Sequence, residues 1–209
     1  PVSTGSLYVP PQFNCTDIDK AQALLRAYPL AQLVSVGSDG AVFISPLPLE
    51  TSTSDPWVLI GHLANANPQV ALLKTNRKAL VTVMGPQAYL SPTVYPDSQR
   101  VPTWNYVTLH AQVDVQPIDP ATDKDALLKT LIKTHEPPYA AQWRGLPESY
   151  TEAMLRAITG FTLTVTAWTL KVKVNQHRPE AKAAMLAQYA KGDGSAQALV
   201  EWIEGWQRP

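Results

Sequence analysis

From Val107 to Gln116 apolar and polar residues alternate without a break: Val107, Leu109, Ala111, Val113 and Val115 against Thr108, His110, Gln112, Asp114 and Gln116. In an extended chain, successive side chains point to opposite faces, so this pattern builds one apolar face and one wetter face. A helix would scatter the same residues around its axis. The run is therefore a strand, and the fold around it is sheet-based. Further strands are expected at Leu30 to Val36, Ala41 to Leu47, Trp57 to His62 and Ala79 to Met84. The segment Gly37-Ser38-Asp39-Gly40 closes the first two into a hairpin, with Pro46 and Pro48 limiting how far the second stays paired. Phe161 to Val174 alternates again, as one long strand or a hairpin.

Helices punctuate these strands. Thr16 or Asp17 caps a helix reaching about Tyr28, with Ile18, Ala21, Leu24 and Leu25 on one face. Asn67 fits a cap and Pro68 the first turn of a short helix to about Thr75. Pro120 to His135 and Glu148 to about Ala157 have helical spacing. After Pro179 come two Ala-rich helices ending near Trp206, in which Trp202 and Trp206 look like packing residues. Pro1 to Pro11 lacks periodicity and is expected to form an arm. The expected class is α+β, with a closed or partly closed, mainly antiparallel sheet and a helical C-terminus.

With 45% apolar and 16% charged residues in 209, the chain has ample material for a core and some inclination to oligomerise. Its formal net charge is zero, which gives no general pull toward nucleic acid or anionic membrane. Cys15 is the only cysteine, excluding an intrachain disulfide or a cysteine-rich metal site. No run is apolar enough to span a bilayer and the N-terminus has no signal-peptide pattern, so a cytoplasmic location is expected.

The histidines, His62, His110, His135 and His177, are dispersed and form no metal-binding spacing. There is no nucleophile elbow and no Gly-rich phosphate loop. Met84 to Tyr106 sets three tyrosines and Trp104 among prolines, and is read as a stiffened loop offering flat faces to a planar ligand or a subunit. A loop packing over its own sheet is the plainer reading. Two places favour an anion: the helix start at Asn67, and the run Lys171 to Arg178, where Lys171 and Lys173 share a strand face and Arg178 adds a bidentate donor. Lysines protecting a strand edge would give the same pattern. Together, the aromatic segment and the anion-friendly ends suit flavin mononucleotide (FMN). The C-terminal helices hold Lys182, Lys191 and Arg208 against Glu180, Asp193, Glu201 and Glu204, which is no DNA-reading charge pattern.

These strings resemble the PaiB-like family of FMN-binding negative transcriptional regulators, nearly end to end. The resemblance is carried by Leu7-Tyr8-Val9-Pro10-Pro11, Gly61-His62-Leu63-Ala64-Asn65-Ala66-Asn67-Pro68, Ala88-Tyr89-Leu90-Ser91-Pro92 and Pro102-Thr103-Trp104-Asn105-Tyr106. It continues through His135-Glu136, Ala157 to Phe161, and Lys173 to Arg178. It implies an FMN-binding split β-barrel, a homodimer with flavin at the subunit interface, and a regulatory role. The implied domain spans residues 1–178, with residues 179–209 as a helical extension packed on the barrel or the dimer partner. The implied cofactor residues are His62, Asn65, Asn67, Lys173, Gln176 and Arg178, with Ser91, Thr103, Trp104, Asn105 and Tyr106 around the ring or interface. This chain carries Asn65, Pro46 and Val94 where the family has arginine, histidine and tryptophan, and each lost charge-assisted contact is worth about 1.5–3 kcal/mol. The alternatives are a regulator acting through a protein partner or small effector without flavin, and a flavin-dependent oxidoreductase by fold analogy.

Overall fold

A computed structural model describes residues 5–118 and 120–205. The strands are β1 (Asn14–Cys15), β2 (Leu30–Val36), β3 (Val42–Pro48), β4 (Glu50–Thr51), β5 (Val58–Ala64), β6 (Lys78–Leu90), β7 (Thr103–Ile118) and β8 (Ile158–Lys173). The helices are α1 (Ile18–Ala27), α2 (Pro68–Thr75), α3 (Ala121–His135), α4 (Tyr139–Gly145), α5 (Glu148–Arg156), α6 (Lys182–Tyr189) and α7 (Gly194–Glu204). Strand order is β3-β2-β6-β7-β8-β5-β4, with β1 added beside β8. The pairs β1–β8, β2–β3, β2–β6, β4–β5 and β5–β8 are antiparallel, so the architecture is the expected α+β.

The chain forms two compact units, through both of which β6, β7 and β8 pass. The first takes residues up to Leu24, Val83–His110 and everything from Trp168; the second takes Leu25–Thr82 and Ala111–Ala167.

In the second unit, Gly37 to Gly40 makes the expected hairpin turn, and Gly40 supplies a φ of 83° that a side chain would strain. Pairing runs on through Pro46 opposite Gln32 to Pro48 opposite Leu30, further than the prolines suggested. The reason is position: β3 ends the strand order, where a missing N–H costs no ladder bond. Leu33, Leu47, Leu59, Leu73, Val81 and Leu163 are almost fully buried. Each contributes about 1.5–3 kcal/mol of burial, and truncating one to alanine costs about 2–5 kcal/mol. Asn67 caps α2 by accepting from the Gln69 backbone N–H at 2.9 Å, as the sequence indicated. Gln69 is fully buried and pins that helix to the hairpin, donating to Leu33 O at 2.9 Å and Ser35 Oγ at 2.8 Å. Lys124 is buried too. Its Nζ donates to Leu155 O and Ile158 O, satisfying carbonyls where α5 ends and β8 begins. Helix α4 has no counterpart in the sequence reading; it starts directly after Pro137 and Pro138, which end α3 and suit the start of a new helix.

In the first unit, β1 pairs with β8 through Asn14 with Lys171 and Cys15 with Leu170. Asp17 starts α1, its carboxylate accepting from the Asp19 and Lys20 N–H groups. Ala21 and Leu24 are buried as expected, but Ile18 is 51% exposed: it opens the first turn before the helix reaches its covered face. Asp193 caps α7, and Ser195 docks that helix on β6, accepting from Gln87 N at 2.8 Å and donating to Gln87 O at 2.9 Å. Met185, Tyr189, Leu199 and Ile203 bury the inner faces of α6 and α7, and Trp202 is half-buried. Trp206 and the first four residues of the arm lie outside the described residues.

One sequence reading changes most here. Met84 to Tyr106 is not a loop: β6 continues to Leu90 and β7 starts at Thr103, leaving only residues 91–102 as connection. Tyr89, Trp104 and Tyr106 stand on strands, where aromatics pack well against cross-strand neighbours. β2 pairs with β6 only through Leu80 to Thr82, so Pro86 interrupts no bond between those two strands. Phe161 to Val174 is likewise one strand rather than a hairpin.

Candidate functional site

The first unit contains a cavity of about 460 Å³, within the range that holds small ligands and cofactors. It lies where the start of β7 meets the end of β8, under the 91–102 connection, with Gln12 and Phe13 of the N-terminal segment forming part of its wall. No aspartate or glutamate is among its described lining residues, whereas Arg100, Lys173 and Arg178 are.

Each cation has a different setting. Arg100 is occupied: it donates to Asp97 at 2.8 and 3.1 Å, approaches Glu180 at 3.8 Å and lies over the Tyr95 ring at 4.7 Å. Lys173 donates to Thr103 Oγ1 at 2.7 Å and Trp104 O at 2.5 Å. Three N–H donors on two acceptors leave one over. Burial holds the Lys173 pKa below the usual lysine value, and the charge of Lys171 lowers it further. The Tyr106 ring takes both ammonium groups on its face, Lys171 at 5.1 Å and Lys173 at 5.7 Å. Arg178 closes the turn after β8, its N–H donating to Asn175 O at 3.0 Å. His177 beside it is pushed below its ordinary pKa by burial and then by Arg178, so it is neutral at pH 7. Net positive charge thus comes from Lys173 and Arg178.

Two buried amides complete the lining. Asn105 is fully buried; its Nδ2 donates to Tyr189 Oη at 2.9 Å and contacts Met185 Sδ at 3.3 Å, while its Oδ1 has no partner. Tyr189 is buried so deeply that its pKa is pushed up to about 12. Asn175 is 5% exposed, accepts from Tyr95 Oη at 2.9 Å, and leaves its Nδ2 unpartnered. Its φ of 61° is left-handed, which asparagine tolerates better than most residues.

Of the residues expected from the sequence, Thr103, Asn105, Lys173 and Arg178 line this one cavity. The other four in the first unit do different work. Trp104 is half-exposed, donates its indole N–H to Gln87 Oε1, and meets Tyr89 edge-on at 6.0 Å. Tyr106 serves through its ring face. Ser91 caps the 3-10 turn Pro92–Val94, in which Val94 is buried as a packing residue. Gln176 braces the turn, its Nε2 donating to Val172 O and Gln12 O while its Oε1 accepts from Val174 N.

His62, Asn65 and Asn67 belong to the second unit. Burial lowers the His62 pKa on β5, leaving a neutral ring at pH 7. Asn65 donates to Arg156 O at 2.6 Å and accepts from Thr159 Oγ1 at 2.7 Å. Asn67 spends its oxygen on the α2 cap and its Nδ2 on Ser45 Oγ at 2.9 Å. Pro46 is exposed on β3. Sequence reasoning missed Tyr95, Arg100 and Asn175. An asparagine between a strand and Pro179 is a turn signal, and that signal was the one available clue to Asn175.

No described group of His, Cys, Asp or Glu side chains has a metal-binding arrangement, and no described helix is long and apolar enough to cross a membrane. Cys15 is buried, and burial raises its thiol pKa, so it is poorly nucleophilic.

The chain is similar to Protease synthase and sporulation protein PAI 2 of Bacillus subtilis, at 26% identity over 178 residues, which cover 83% of this chain and 84% of that protein. Among solved structures it is similar to the flavocytochrome Anf3 of Azotobacter vinelandii, with TM-score 0.62, 17% identity, and coverage of 78% of this chain and 70% of that one. It is also similar to the FAD and heme binding protein of Mycobacterium smegmatis, with TM-score 0.59, 20% identity, and coverage of 77% and 73%. At such identities these structures speak to the fold alone, and that fold is the expected mixed α+β type. The model of the family described as "Putative FMN-binding domain" matches residues 7–167, well over half the chain, and the chain belongs to that FMN-binding, PaiB-like family.

Proposed function

We propose that this protein binds FMN in the cavity of its first unit, with Lys173 and Arg178 holding the phosphate and Thr103 and Asn105 completing the polar lining. The observation that carries the reading is charge: the described lining has cations and no carboxylate, Asp97 and Glu180 being paired with Arg100, an arrangement that suits an anion. The residues present fit the group. The volume is in the cofactor range, one Lys173 N–H is left over, and two buried amides offer unpartnered atoms. Bound FMN supplies one- and two-electron chemistry; the chain supplies the charge, the walls and the orientation. Asn65 and Asn67 have side chains committed within the second unit, and the His62 ring there is neutral, so the phosphate contact rests on the first.

We also propose that two copies associate. Met84, Tyr89 and Trp104 on β6 and β7 are 58%, 46% and 49% exposed, an apolar surface suited to a second subunit. Regulation, on this reading, runs through the ligand or a protein partner, because net charge and helix composition supply no DNA-reading surface.

The test compares FMN with riboflavin, which shares the ring but lacks the phosphate, by quenching of flavin fluorescence. The proposal expects FMN to bind about tenfold or more tightly than riboflavin. Equal binding of both would remove the phosphate site. Light scattering of the purified protein reads the subunit number, and a monomer at all concentrations would end the dimer proposal.

A further inference from the structure

The cavity holds a second pattern besides its charge. Asn105 and Asn175 come from different strand ends, yet each has one amide end fixed by a tyrosine hydroxyl: Tyr189 for Asn105 and Tyr95 for Asn175. Each leaves its other end without a partner while being at least nine-tenths buried. The two free ends are of opposite kind and not joined to each other: Asn105 has an unpartnered acceptor and Asn175 an unpartnered donor, on two residues that line one cavity. A buried amide atom left unpaired costs about 1–3 kcal/mol, and of the three such side-chain atoms among the described residues two belong to the lining of this one cavity, the third being Gln69 Oε1 in the second unit. Asn175 is also held there against its backbone preference, by the left-handed turn and by the Gln176 brace on both sides of it.

We propose that Asn105 and Asn175 read the O=C–N–H edge of a cyclic imide, the polar edge of the pyrimidine ring in a flavin or a uracil nucleotide. Asn105 Oδ1 accepts from the ring N–H, and Asn175 Nδ2 donates to the neighbouring carbonyl. Lys173 and Arg178 take the phosphate that both ligand types carry. This assignment rests on the FMN reading but separates from it experimentally, because the imide edge and the phosphate can be removed independently. It also makes the two asparagines specificity-determining rather than catalytic.

The experiment uses the full chain with FMN and with uridine monophosphate, each beside its form methylated at the imide nitrogen, by titration calorimetry. The methylated flavin should bind about tenfold more weakly than FMN, the loss of one hydrogen bond whose buried partner stays unpaired. Asn105→Leu should abolish that difference; the comparison of analogues in the unmodified chain needs no variant and stands even if that variant fails to fold. If FMN and its methylated form bind equally, the imide assignment is overturned while the flavin reading survives, and bridging water accounts for the amides. If uridine monophosphate binds, FMN does not, and methylation of the uracil nitrogen weakens the nucleotide, the assignment holds and the flavin reading falls. Binding of neither ligand would overturn both.

Discussion

Replacing Lys173 by methionine keeps the length and apolar stem of the side chain and removes its charge. In the folded protein its ammonium group serves Thr103 Oγ1 and Trp104 O, with one N–H left for a ligand. Loss of a charge-assisted contact to phosphate costs about 1.5–3 kcal/mol, a weakening of roughly ten- to 150-fold in FMN affinity. Riboflavin binding should change by less than about threefold, since it has no phosphate to lose. The pH dependence gives an independent sign. Burial has already lowered the Lys173 pKa from 10.5, so the unfolded chain binds more protons between the lowered value and 10.5. Apo-protein stability contributed by this group therefore rises with pH across that window. FMN affinity must fall across the same window, because only the protonated amine attracts the phosphate, which is already fully ionised there. The assay is fluorescence titration at a series of alkaline pH values, with thermal melts of apo-protein alongside and Lys173→Met subtracted as the baseline. FMN affinity that is unaltered in Lys173→Met, or that rises with pH in the unmodified chain, refutes the phosphate role of this lysine.

Three further outcomes follow from the packing. Gln69→Met should cost about 2–4 kcal/mol, because Leu33 O and the buried Ser35 Oγ both lose their donor; for a chain of this size that lowers the melting temperature by about 4–16 °C, and a change under 2 °C would contradict the latch. Asn67→Ala should cost about 0.5–2 kcal/mol through the lost α2 cap, read by denaturant unfolding at unchanged m-value. Cys15 should react with a disulfide reagent far more slowly in the folded protein than in urea, since its thiol is buried with a raised pKa; equal rates would show that β1 is not held against β8.

The sequence was most informative where one physical signal acted alone. The alternation from Val107 to Val115 specified a strand because every apolar member of it is buried. The hairpin glycines and the Asn67 cap were legible because local backbone geometry decides them. It was least informative where position in the sheet overrides local preference. Pro46 and Pro48 suggested a limit to pairing, yet both sit on β3, at the end of the strand order, where no ladder bond is required. The aromatic segment looked like a loop for the same reason. For the site, residue types at the end of β8 disclosed Lys173 and Arg178, since clustered cations near a strand end are visible in one dimension. Asn105 and Asn175 gain their meaning from burial and from the tyrosines that hold them. Those partners lie 84 and 80 positions away, and no spacing rule connects them.

The account stands on where the phosphate goes. A crystal structure of the protein grown with FMN measures that directly. It should show the phosphate within hydrogen-bonding distance of Lys173 Nζ and the Arg178 guanidinium, inside the first-unit cavity. A flavin whose phosphate is bound elsewhere, with those two side chains making no contact to it, would contradict the account.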